Sequence, residues 1–164
     1  MNLSTTALRV LLVASALLAT GAVEARNVGH MLPVAAPLAA ARANDDIAGI
    51  DFAFGSASAR GAEIVGGTVS VQGVGSPLAE PHGFKPTDDE ACGNALRDAL
   101  KRLALAARNA GGHAVVGIVS TYNGNTIDDP AQVECRLGQS KVLVPLSGVI
   151  ARAVPAPAPA PAKE

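Results

Sequence analysis

Cys92 and Cys135 are the two cysteines of the chain, and His30, His82 and His113 its three histidines. Thiol, imidazole or soft-metal chemistry must draw on these side chains and on the acidic runs Asp88-Asp89-Glu90 and Asp128-Asp129. In an exported chain two cysteines read first as a disulfide, because the compartment oxidises them and an even count leaves no orphan. The loop they would close, about 43 residues, restricts the unfolded chain by roughly 4 kcal/mol in chain-entropy arithmetic. A thiol redox pair and a metal site are the competing readings. Neither finds its usual spacing, since there is no Cys-x-x-Cys and no Cys/His cluster at zinc spacing.

The histidines lie far apart in sequence, so a shared metal would need the fold to bring them together. His113 reads as a strand-start residue donating to a neighbouring backbone. Asp88, Asp89 and Glu90 fall where a helix begins, with Thr87 as N-cap and Glu90 three residues on, a reciprocal capping box. Carboxylates there complement the helix dipole without any catalytic role. Asp128 and Asp129 precede Pro130 and read as turn formers, because the loop lacks the Asp-x-Asp-x-Asp-Gly spacing of a calcium site. No Gly-x-x-x-x-Gly-Lys-[Ser/Thr] and no Gly-x-Ser-x-Gly occurs, so the signatures of phosphate-loop ATPases and serine hydrolases are missing. The expectation is a protein with no catalytic residue, no metal ligand set and no cofactor, hence not an enzyme.

The elements that must position these residues centre on Thr87 to Tyr122. At about 100° per residue, Cys92, Leu96, Ala99, Leu103, Ala106, Ala107 and Ala110 share one stripe, opposite Arg97, Asp98, Lys101, Arg102 and Arg108. Gly111-Gly112 can supply a left-handed C-cap, and His113 to Thr121 is apolar on both parities, the pattern of a central strand. Small residues on the stripe would let the helix backbone approach the sheet closely. Ile47 to Gly55, with Ile50, Phe52 and Phe54 on one parity, and Ala62 to Val74, interrupted by Gly66-Gly67, read as two further strands. Ser56 to Gly61 is the turn between them. Asn123-Gly124-Asn125 and Asp128-Asp129-Pro130 bracket an exposed polar loop. Val133 to Cys135 is read as a brief pairing segment, and Lys141 to Ala153 as a last strand whose Pro145 and Gly148 argue for an edge position or a bulge.

Met1 to Arg9 followed by the apolar run Val10 to Ala19 has the form of a secretory signal. The run is too short to span a bilayer, which takes about twenty apolar residues. Val23-Glu24-Ala25 offers small residues for cleavage after Ala25, and with no cysteine nearby a lipid anchor is excluded. The expected organisation is a signal peptide over 1–25, an Ala-rich N-terminal segment over 26–44, an α+β domain over 45–153 and a disordered Ala-Pro tail over 154–164. Within 26–44, Ala35 to Ala43 could hold one or two helical turns, broken by Pro37. The net charge of −1, three phenylalanines, one tyrosine and no tryptophan give neither a basic patch nor a stacking platform, which argues against nucleic acid as a partner.

The run Asp88-Asp89-Glu90-Ala91-Cys92, the helix, then Gly111-Gly112-His113-Ala114-Val115-Val116-Gly117-Ile118-Val119-Ser120 and Glu134-Cys135 resemble a group of small exported bacterial proteins of unknown activity. Some of these carry an "excinuclease ATPase subunit" label, for which this chain has no ATP-binding loop. The stretch from 85 to 153 is also similar to the YbjQ-type fold, named for heavy-metal binding, and to the related RcsF-like signalling domain. In that domain a cysteine before the helix bonds to one after the Ala-Val strand, and Cys92 and Cys135 match those positions. The second disulfide and the lipid-bearing cysteine of that lipoprotein are missing, and His113 stands where asparagine is common.

Residues and resemblance together predict a two-layer α+β domain, one main amphipathic helix on a mixed or antiparallel sheet of about four strands. The function expected is a non-enzymatic periplasmic or secreted binding or sensory module of the cell envelope. It would have an envelope protein as partner, no stable membrane anchor after processing, and a homo-oligomer as an open possibility. The alternatives are a periplasmic metal-binding protein using histidines and loop carboxylates, and, third, a thiol redox enzyme.

Overall fold

The computed structural model describes residues 26–79 and 83–154. The expected signal peptide, His82 and the Ala-Pro repeat from Pro155 lie outside the described residues. The element order is β1 (Val28–Pro33), α1 (Ala35–Ala43), β2 (Asp51–Phe54), a 3₁₀ turn (Ser56–Ala59), β3 (Ile64–Gly75), α2 (Asp88–Asn109), β4 (Ala114–Tyr122), β5 (Asn125–Ile127), β6 (Gln132–Leu137) and β7 (Val142–Ala151). The strands form one seven-stranded sheet in the order β1-β6-β7-β4-β2, with β3 paired to β7 and β5 to β4. Only β2 and β4 run parallel, so the sheet is mixed. This is an α+β fold.

The helix at its centre follows from its residues. Thr87 adopts extended backbone and closes the capping box with Glu90, and Gly111 takes φ 71° just past the last turn. The stripe Ala91, Cys92, Ala95, Leu96, Ala99, Leu100, Leu103, Ala104 and Ala107 is buried against the sheet. Approach is closest over β3, where a Cβ on Gly73 would sit 2.0 Å from the Ala95 carbonyl oxygen and one on Gly75 2.5 Å from that of Ala91. Glycine on the strand and alanine on the helix bring the two backbones into contact.

The expectation of one helix on about four strands undercounts both. The N-terminal segment, expected to stand apart from the domain, supplies β1 and α1, and Leu32, Val34 and Ala41 enter the main core. Pro37 does not break α1, because it is the third helical residue, where a missing N–H costs no intrahelical bond. The loop after β4 is a hairpin: Asn123 and Gly124 both take positive φ, the geometry of a type I′ turn, and β5 pairs back on β4.

The last strand, expected at an edge or with a bulge, is central. One side of β7 pairs with β3 along its length, and the other is shared, β6 at Val142 and Leu143, then β4 from Leu146 onward. Pro145 falls at the changeover between those two partners. Gly148 faces the irregularity in β4 between Val116 and Val119, where Gly117 takes φ 63°. Edge position fails and the bulge stands, carried by the neighbouring strand. Among the described residues no helix is long and apolar enough to cross a membrane.

Candidate functional site

The side chains singled out for chemistry gather mainly at the N-terminal pole of α2. Thr87 Oγ1 accepts from the Glu90 N–H at 3.2 Å, and the Thr87 N–H donates to Glu90 Oε2 at 2.8 Å. Hydrogen bonds from the Thr87 backbone and then its hydroxyl hold the Glu90 carboxyl below the usual carboxylate range. The Arg26 guanidinium donates to Asp88 at 2.6 Å, and His30 Nε2 lies 2.6 Å from Asp89. In the next turn Cys92 is bonded to Cys135 of β6, with Cα atoms 5.8 Å apart. His30 pairs with Cys135 in the β1–β6 register, so the His30–Asp89 contact and the disulfide issue from facing positions on these two strands. The acidic run therefore caps its helix and ties it to β1.

Both sulfurs belong to fully buried residues, so no thiol or disulfide faces a substrate. Beside the clamp, α1 and α2 leave a groove of about 540 Å³, floored by Ala36, Pro37 and Ala40 and flanked by Lys85, Asn94 and Arg97. α1 lies beside Gly93, where even a Cβ would meet Pro37 Cγ only at ordinary contact distance, 3.7 Å. Phe84, on the connector into α2, lines the groove and is 100 % exposed.

The remaining candidates lie elsewhere. His113 is exposed; its N–H donates to the Ala151 carbonyl and its carbonyl accepts from the Asp51 N–H, which fixes the start of β4 as expected of a strand-start residue. It opens onto a depression of about 450 Å³ that mixes Arg42, Asp45, Asp51 and Arg152 with the apolar Ile47 and Ile50. His30 contacts the first turn of α2 and His113 follows its last, so the helix, roughly 33 Å long at 1.5 Å per residue, separates them. Asp129 Oδ1 accepts from the N–H groups of Ala131 and Gln132, the turn-forming role expected of it. Asp128 accepts from the hydroxyl of Ser56 and, at 2.7 Å, from its N–H. Those bonds, the hydroxyl's first, hold its carboxyl below the ordinary range. Among the described residues no group of three or more His, Cys, Asp or Glu is placed to hold a metal ion.

Sequence reasoning passed over two features. Arg26 and His30 gave no local signal of their partners sixty residues away. Glu134 and Arg136 did carry one: alternating on β6 between the buried Val133, Cys135 and Leu137, they share the face away from the core and pair at 2.8 Å. The Arg136 guanidinium also lies 4.2 Å from the centroid of Tyr122, whose hydroxyl accepts from Asn27 at 3.2 Å. No protein-family model matches the chain, and neither a curated protein nor a solved structure matches it.

Proposed function

We propose that the protein is a non-enzymatic, exported binding or sensory module of the cell envelope, and that the groove at the N-terminal pole of α2 is where it meets a partner protein. The observation that carries this reading is Phe84, one of three phenylalanines, left wholly exposed beside an apolar floor while the other two are buried. An exposed aromatic ring next to a rigid concavity is how protein anchors are held. Rigidity comes from the Cys92–Cys135 bond, the Arg26–Asp88 ion pair and the His30–Asp89 contact around it. Lys85 and Arg97 on the rim outnumber the lining carboxylate of Glu90, which Thr87 already engages, and suit a partner segment that brings an apolar side chain and a carboxylate. A buried disulfide fits an oxidising compartment, and the export signal read from the sequence makes that the periplasm or the exterior. The resemblance of residues 85–153 to the RcsF-like domain supports the same reading, without the membrane anchor of that lipoprotein.

A photo-crosslinking phenylalanine analogue at Phe84, illuminated in envelope extract, tests this. A discrete adduct from position 84, missing when the analogue replaces Leu78, is expected. Equal yields from the two positions, or none, would remove the groove as the binding surface. No observation favours metal binding, since the described histidines lie at opposite ends of α2.

A further inference from the structure

We propose that β3 is a homodimer interface, two copies pairing their β3 strands antiparallel about a dyad at Ser70 to make one continuous sheet. Among the described residues β3 has a strand partner on one side alone, β7. Its other edge carries no strand along Ile64–Gly75, twelve residues that include no charge and no proline, and is capped there at Val74 by the Asp98 side chain. Edge strands of monomers are normally guarded by lysine, proline or inward-pointing charge, and a long uncharged edge is a template for another strand.

The hydrogen-bonding direction agrees. The Val74 N–H donates to Asp98 Oδ2 at 3.0 Å and therefore points away from β7. Backbone groups alternate along a strand, so Thr68, Ser70 and Gln72, in the same regular stretch, also present their N–H and C=O to the open side. A dyad at Ser70 sets Ser70 against Ser70, as a pair exchanging both bonds, and Thr68 against Gln72. Val69 then faces Val71, and polar residues meet polar ones on the outer layer. The palindromic Val69-Ser70-Val71 makes the edge its own complement, which a closed two-fold interface requires.

The helix above supplies the second layer of contact. Leu105 stands on the solvent side of α2 among Lys101, Arg102 and Arg108, yet is a leucine and 57 % exposed. It borders, with Arg102, a groove of about 470 Å³ whose other wall is Ser70, Val71 and Gln72. The dyad that pairs Ser70 with its copy thus brings the two exposed Leu105 side chains toward each other. Asp98 closes the edge at Val74, so the pairing is confined to the stretch that is self-complementary.

Sedimentation of the full chain at about 100 μM, well above a micromolar dissociation constant, should give twice the chain mass. Ser70→Pro removes the central pair of interchain bonds; its lost N–H faces the open edge, so the subunit's own ladder is spared. Leu105→Lys places two lysines beside two copies of Arg102 and keeps a good helix former. Both variants should sediment at the monomer mass. Should Ser70→Pro fail to fold, Leu105→Lys decides alone. A monomeric wild type, including one whose β3 amides gain exchange protection only from added envelope extract, overturns the proposal, as does a dimer that survives the substitutions.

Discussion

The cysteines and Asp128 are the residues whose chemistry is best defined. Cys92 and Cys135 sit fully buried, one on a helix stripe and one in a strand, and their bond spans 43 residues of sequence. Removing a native disulfide from a small exported domain costs about 2–5 kcal/mol. The double variant Cys92→Ala, Cys135→Ala should therefore unfold at markedly lower denaturant, and the wild type should show no reactive thiol until unfolded. Thiols that titrate in the native protein would instead make the pair a redox site. Asp128 gives a pH dependence of definite sign. Its folded pKa is depressed by Ser56, so the stabilisation it brings is present above the ordinary aspartate value, about 3.9, and is lost as pH falls through the lower folded value. Asp128→Asn should be less stable than wild type at neutral pH, and the gap should narrow below about pH 4 in urea unfolding. Parallel profiles for the two proteins would show that the Ser56 contact contributes nothing.

At the scale of elements, what could be read from the chain is what local forces decide. Thr87 with Glu90, the Cys92-Leu96-Leu103 stripe and the Gly111 stop fixed α2, and the unbroken apolar run fixed β4, because capping and periodicity act within a few residues. β1 was not legible: of Val28–Pro33 only Leu32 is buried, and its place depends on pairing with β6 about a hundred residues on. β7 was misplaced to an edge because Pro145 is excluded from a continuous ladder, whereas here its partner changes at that residue. Gly66-Gly67, read as interrupting β3, do lie where its register with β7 shifts between Ile64 and Thr68, but the close approach of Gly73 to α2 was not foreseen. Gly73 has the α2 backbone against its Cα, while a Cβ on Gly67 would meet nothing within 4 Å. Gly73→Ala must push the helix off the strand and should destabilise by about 1–3 kcal/mol or more. Gly67→Ala, with open space and no left-handed backbone, should change stability by less than about 1 kcal/mol in either direction. Equal effects in thermal melts would refute a backbone-to-backbone contact between α2 and β3.

At the scale of the molecule, the candidate site was legible in its parts and not in its assembly. The capping box, the acidic turn and the disulfide were each visible, but the groove exists because α1, the Phe84 connector and α2 meet, and the contacts to Asp88 and Asp89 exist because Arg26, just before β1, and His30, within it, arrive with no sequence signal. Those contacts bear on where the mature chain begins. Val23-Glu24-Ala25 after the apolar run is the pattern from which processing between Ala25 and Arg26 is expected. Arg26 is the residue that pairs with Asp88, and Asn27 the one that donates to the Tyr122 hydroxyl. Cleavage after Ala25 keeps both contacts, whereas cleavage beyond Asn27 would discard both and leave Asp88 without its cation. Intact-mass measurement on protein from the envelope fraction should give a chain starting at Arg26 with two hydrogens fewer than its sequence, the mark of the closed disulfide. A chain retaining Met1, or one starting beyond Asn27, would overturn this reading of export. The same chain expressed without residues 1–25, and so kept in a reducing cytoplasm, should carry both thiols free and melt lower, which ties the disulfide's stabilisation to the compartment.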